Sequence, residues 1–152
     1  MSVPKSVVKF DKNGVKYVSS VDRAQYTIRE LTRAALRDVG KFLVREINKK
    51  AQELPGMKKS KRVRGKTSGF GYWARKQECD LQIGVKHSTW YGENQELGTS
   101  KMPKKGFIRG TTEENIKTIV QIESQYLSAL EDEARALNMI ESEDDYTEVD
   151  DE

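Results

Sequence analysis

The side chains able to do chemistry are few and scattered. The only histidine, His87, stands between Lys86 and Ser88 at the end of a short apolar run, where such a residue is ordinarily part of a surface or loop. Ser88, Thr99 and Ser100 have no second histidine and no buried acid to activate them as nucleophiles. Glu93 and Glu96, three residues apart, would share a helical face, but an acid and base pair also needs a substrate pocket, and nothing around them announces one. Gly65-Lys66-Thr67 matches the end of a phosphate-binding loop and lacks the glycine required upstream. A single cysteine, Cys79, cannot form an intrachain disulfide or a paired-cysteine metal site. The expectation is a protein that is not an enzyme and holds no cofactor or metal.

The elements that carry these residues are legible from periodicity. Two apolar runs, Val7 to Phe10 and Val15 to Val18, flank Asn13-Gly14, a pair suited to the positive φ angles of a tight hairpin turn. Asp22 stands three residues before Gln25 as in a capping box and predicts the start of a long helix. Its apolar positions run from Ile28 to Leu54 in steps of mostly three and four, and Pro55-Gly56 supplies the stop. Arg29, Arg33, Arg37, Lys41, Arg45 and Lys49 recur every four residues, which predicts a basic ridge along one face. It would serve either as a solvated surface or as a contact with an acidic partner or nucleic acid.

Residues 57–69 hold Lys58, Lys59, Lys61, Arg62, Arg64 and Lys66 with only Met57 and Val63 as apolar anchors, and are expected to be a mobile loop. The loop would contact DNA phosphates or an acidic surface, or simply be solvated; no aromatic is interleaved to stack on bases. Phe70 to Gln77 and Leu81 to Lys86 read as an antiparallel pair, with Leu81, Ile83 and Val85 on the buried face. This pair and the N-terminal hairpin are expected to form one small sheet, with Trp73 and Trp90 as core or interface anchors. Thr111 and Glu114 suggest a second capping box, opening a helix from about Thr112 to about Leu137. The predicted class is α+β: a small antiparallel sheet packed by one long N-terminal helix and one C-terminal helix.

The whole chain carries a formal net charge of +3. Residues 141–152 hold eight acids and no base, so residues 1–140 carry +11, from 27 bases against 16 acids. A mean hydropathy of −0.78 fits a chain that is partly solvated. The expected organisation is a single domain over 1–140 and a disordered acidic tail over 141–152. No apolar run is long enough for a signal peptide or a bilayer span, so a soluble protein made in the cytoplasm, without membrane contact, is expected.

Between the strands and the last helix lies YGENQELGTSKMPKKGFIRG, residues 91–110. Tyr91-Gly92, Glu96-Leu97-Gly98-Thr99-Ser100, Met102-Pro103 and Gly106-Phe107-Ile108-Arg109, followed by an amphipathic helix, resemble the neck and tail-completion proteins of tailed bacteriophages, also described as head-tail joining or minor tail morphogenesis factors. The resemblance covers about Asp22 to Leu137, including the order of long helix, polar loop, two strands, motif and helix. It departs from the family pattern at Leu97, where an aromatic is usual, and at Gly106 and Gly110, where prolines are usual; losing both prolines should make the loop more flexible.

The resemblance implies a structural virion protein, located in the tail or neck, that forms a ring around the DNA passage. The ring is expected to be hexameric and to bind a tail terminator or tail tube protein on one side and head connector or stopper proteins on the other. Tyr91, Glu96, Gly98, Thr99, Phe107 and Arg109 are the motif residues expected at the interface. Gly98 would let the chain reverse, Thr99 and Ser100 would brace the turn, Phe107 and Ile108 would anchor it, and Arg109 could bridge to Glu96. Two rival readings are a nucleic-acid-binding module using residues 58–66 and, more distantly, a small nuclease or toxin dependent on His87.

Overall fold

The computed structural model describes residues 3–5, 7–53, 69–75, 78–86, 92–101 and 103–145. The elements in chain order are β1 (Val7–Lys12), β2 (Val15–Ser19), α1 (Val21–Glu53), β3 (Phe70–Ala74), β4 (Leu81–Val85), α2 (Gly92–Leu97), α3 (Phe107–Glu114), α4 (Ile116–Ala129) and α5 (Glu133–Asp145). The expected α+β class holds. The strands, however, form two separate two-stranded sheets rather than one. The cause is the length of α1: 33 residues at about 1.5 Å each span roughly 50 Å. The hairpin joins α1 directly at one end through Ser20, while β3 and β4 pack along the helix's other half.

The β1–β2 hairpin turns through Asn13 and Gly14, both at positive φ, 55° and 79°, as the Asn-Gly pair predicts. In α1 the Ala24 N–H donates to the Ser20 carbonyl over 2.9 Å, so Ser20 takes the cap position. Asp22 lies inside the first turn, where a negative charge faces the positive end of the helix dipole.

The core stripe of α1 winds, and this organises the molecule. Leu31, Ala35, Val39, Leu43, Ile47 and Ala51 are buried and follow one another at steps of four. Each step of four overshoots a full turn by about 40°, so the stripe crosses to the other side of the helix along its length. At the N-terminal end Leu31, Ala34 and Ala35 pack with Tyr126, Ala129, Ala136 and Ile140. At the C-terminal end Val39, Leu43, Ile47 and Ala51 pack with Phe70 and Phe107, and Ile122 lies against both clusters.

The same drift overturns the idea of one basic ridge. Arg29, Arg45 and Lys49 are exposed, Arg33 and Lys41 are half-buried, and Arg37 is buried. A row of cations that rotates about 40° at each step cannot remain on one face.

Tyr72 of β3 packs directly on Gly40 of α1, where an added Cβ would fall 2.6 Å from the Tyr72 Cγ. Gly40→Ala should therefore lower stability by about 1–2 kcal/mol, because overpacking of about 1–3 kcal/mol outweighs the roughly 1 kcal/mol that alanine gains over glycine in a helix. Urea unfolding followed by circular dichroism measures it; a stabilised variant would show that the sheet yields freely.

The expected single C-terminal helix is three. Asn115 ends α3: its N–H is shared between the Thr111 and Thr112 carbonyls at 3.2 Å each, and its Nδ2 donates to the Thr111 carbonyl at 2.8 Å. Such side-chain competition with the backbone favours a break. The second interruption falls at Asp132, whose Oδ1 accepts from the Ala134 and Arg135 N–H groups at 3.0 and 3.4 Å, a standard helix cap. Helix α5 runs on to Asp145, so the first residues of the expected tail are helical; 146–152 lie outside the described residues.

Candidate assembly interface

Helix α2 and the first turn of α3 are tied together by one glutamate. Helix α2 delivers Glu96. Its main-chain carbonyl accepts from the Gly106 N–H at 3.3 Å, and its carboxylate oxygens accept from the Ile108 N–H at 3.1 and 3.3 Å. The carboxylate thus sits at the N-terminus of α3, where free N–H groups and the helix dipole both favour an anion. This cap comes from twelve residues upstream and explains why the last helical region begins at Phe107, five residues before the expected start. Thr111, expected as a cap, instead lies inside α3, fully buried, and its hydroxyl finds no partner among the described residues.

Two glycines make the closure possible. Gly98 has φ 80°, and a Cβ there would lie 2.8 Å from the Lys104 backbone nitrogen and 3.0 Å from its Cα. Its N–H donates to the Asn94 carbonyl at 2.9 Å, ending α2. Gly106 precedes α3 in the left-handed conformation, φ 57° and ψ 45°, which the ring of a proline forbids. The Thr99 hydroxyl accepts from the Lys101 N–H at 3.4 Å, a weak local brace of the sort expected for that residue.

Phe107 carries the loop into the core. It is 8% exposed and meets Phe70 edge to face, with ring centroids 6.3 Å apart at 77°, a favourable aromatic geometry. The adjacent Ile108 packs on the same cluster. Arg109 does not bridge to Glu96. It points to solvent and pairs with Glu113 one turn on, Nε to Oε1 at 2.8 Å, because the Glu96 carboxylate is taken up by the α3 backbone. The hydrogen bond and charge of Glu113 hold the Arg109 guanidinium above its ordinary value. On the far side of α3, Glu114 accepts from Lys50 and ties the helix to α1.

Of the expected interface residues, Glu96, Gly98, Thr99, Phe107 and Arg109 are brought into one loop, while Tyr91 lies outside the described residues. So do Lys58, Lys59, Lys61, Arg62, Arg64 and Lys66, together with His87, Ser88 and Trp90. The side chains that this segment offers to solvent are Asn94, Leu97, Thr99, Ser100, Lys101, Pro103, Lys104, Lys105 and Arg109, a mostly polar and cationic set with one exposed leucine. Sequence reasoning missed the backbone role of Glu96 and the close approach of Lys104 to Gly98. The acidic residue preceding Gly-Thr was a visible signal, but not its partner.

Replacing the Glu96 side chain tests this construction. Glu96→Ala should cost about 1–2 kcal/mol through loss of the cap and the charge at the helix end, and Glu96→Gln about half of that. Thermal melts of the three proteins read the order directly: a Glu96→Gln variant as stable as wild type would refute a contribution from charge, and equal losses for both variants would refute one from the hydrogen bond.

Among the described residues, no group of three or more His, Cys, Asp or Glu side chains could hold a metal ion, and no helix is long and apolar enough to cross a membrane. Comparison of the chain with known protein families, curated proteins and solved structures gives no match.

Proposed function

We propose that this chain is a structural subunit of a tailed-bacteriophage neck or tail-completion assembly, working in the virion as one member of a ring around the DNA passage. The observation that carries the reading is the motif loop itself. Its motif residues Glu96, Gly98 and Phe107 are spent on holding a fixed shape, while the hydroxyl and cationic side chains between them face outward as a contact surface. A repeated subunit needs such a rigid, self-closed surface, since a closed ring uses one interface many times. The outward lysines suit an acidic neighbour, such as a tail terminator, tail tube or head connector protein, or DNA passing through the lumen. No reaction is assigned to the chain.

Mass spectrometry of purified particles, with imaging of the neck, tests the role: the protein is expected in the mature virion at the junction of head and tail. Its absence from purified particles would overturn the reading.

A second reading is a nucleic-acid-binding module. It is favoured by the six cations between Lys58 and Lys66 and by the exposed Lys101, Lys104 and Lys105. Binding of isolated protein to duplex DNA that falls with salt at about −0.9 per neutralised phosphate would select it; weak, salt-insensitive binding favours the connector.

A further inference from the structure

We propose that Trp73 of one copy of the chain docks in the groove between α1 and α4 of a second copy, joining copies head to tail. The inference deepens the ring reading above and rests on it for closure of the contact into a cycle.

The socket is an apolar groove of about 180 Å³ walled by Ile28, Leu31, Leu36, Leu127 and Leu130. Three of these walls stand largely in water: Ile28 is 51% exposed, Leu127 65% and Leu130 41%. The exposure is patterned, since Ile116, Val120 and Leu127 of α4 and Leu130 at its C-cap all fall within roughly 80° of arc. Together with Ile28 these side chains leave on the order of 500 Å² of apolar surface in solvent, at the upper end of the largest patch on an ordinary monomer. At the apolar share typical of interfaces, about 60%, that area corresponds to roughly 800 Å² per partner, the size of a standard specific contact.

The knob is a large aromatic left mostly in solvent. Trp73 is 65% exposed. Its neighbour Tyr72 faces α1 at Gly40, so alternation along β3 turns Trp73 outward. A cavity of about 150 Å³ accommodates a benzene ring, and 180 Å³ has room for the ring system of indole. Chemistry matches as well as size. The indole N–H is a donor only and needs an acceptor when buried; of the polar side chains lining the groove, Thr32, Glu123 and Tyr126, the Tyr126 hydroxyl donates to Asp38 at 2.6 Å, and the Glu123 carboxylate and Thr32 hydroxyl are acceptors. The Thr32 hydroxyl proton is already given to the Ile28 carbonyl at 2.8 Å, leaving its lone pairs to the incoming donor.

Knob and socket are different patches of the surface: the groove is walled by α1 and α4, while Trp73 stands on β3, which packs on α1 at Gly40. A contact in which each copy's knob fills the next copy's groove propagates as a ring or an open chain, whereas a wild type that stops at two chains has filled both grooves reciprocally and overturns the head-to-tail arrangement.

Sedimentation of the full-length protein tests this. The wild type is expected as an assembly heavier than the 17.4 kDa monomer, and Trp73→Ala and Leu127→Lys should each weaken association at least about 30-fold, the loss of one hot-spot side chain. An equimolar mixture of the two variants retains one intact knob and one intact groove, and is expected to form two-chain species and nothing larger. Both residues are exposed, so far-UV circular dichroism should be unchanged; if Leu127→Lys unfolds, Ile28→Lys replaces it. A monomeric wild type, or an assembly that Trp73→Ala leaves intact, overturns the contact. A closed ring that survives Trp73→Ala overturns the contact and leaves the ring reading standing, whereas open chains dissolved by Trp73→Ala uphold the contact and overturn the ring.

Discussion

Phe107→Ala is expected to lower the stability of the protein by about 3–5 kcal/mol and its melting temperature by on the order of 10 °C. The side chain is 8% exposed, meets Phe70 edge to face, and belongs to the cluster that includes Leu43 and Ile47 of α1. Removing the ring leaves a cavity between α1, β3 and α3 that backbone already held by the Glu96 cap cannot easily fill. Differential scanning calorimetry gives the number, and Phe107→Leu separates the aromatic contribution from volume, with an expected loss near 1–2 kcal/mol. A loss below about 1 kcal/mol for alanine would mean that α3 is not anchored through Phe107. The same variant bears on assembly: if the loop's shape is what neighbours recognise, Phe107→Ala should weaken incorporation into particles even at temperatures where the rest of the chain remains folded.

How far the sequence reveals this architecture depends on the range of the interactions concerned. Asn13-Gly14 announced its hairpin because the turn is decided by the two residues that make it. The apolar spacing from Ile28 onward announced α1 because a helix face is a local pattern. The strands around Glu78-Cys79-Asp80 were legible in the same way, and their turn is clamped by Arg75, which bonds the Asp80 carboxylate twice, at 2.9 and 2.8 Å, and pairs with Glu78. What the sequence hid is non-local. Thr111 and Glu114 have the spacing of a capping box, yet α3 starts earlier because Glu96 supplies the cap from a separate helix. The row of cations from Arg29 to Lys49 looks like a ridge when counted in fours, but the rotation of the helix over five steps carries it from solvent at Arg29 through a buried position at Arg37 and back to solvent at Arg45 and Lys49. The break at Asp132 had a local signal, an aspartate at a cap position, that the surrounding apolar periodicity masked. The candidate loop was therefore located by its residues, while the bonds that shape it required the fold.

Gly98→Ala is expected to cost about 3 kcal/mol, more than one added methyl group ordinarily would. Two terms combine. An L-residue at φ 80° carries a conformational cost of about 1–2 kcal/mol. The new Cβ would also stand 2.8 Å from the Lys104 nitrogen and 3.0 Å from its Cα, and backbone atoms cannot swing aside as a side chain can. Gly14→Ala separates the terms, because Gly14 has nearly the same φ, 79°, with nothing within 4 Å of its would-be Cβ. That variant should lose only the conformational term, and the difference between the two, about 1–2 kcal/mol, measures the close approach of Lys104 to the turn. Chemical denaturation of both variants decides it, and equal losses would show that residues 98–104 move apart without resistance. If the difference appears, the loop is closed by backbone contact as well as by the Glu96 cap, and relaxing that contact displaces Lys104 and Lys105. Gly98→Ala should then impair assembly into particles more than Gly14→Ala does, at temperatures where both proteins are folded.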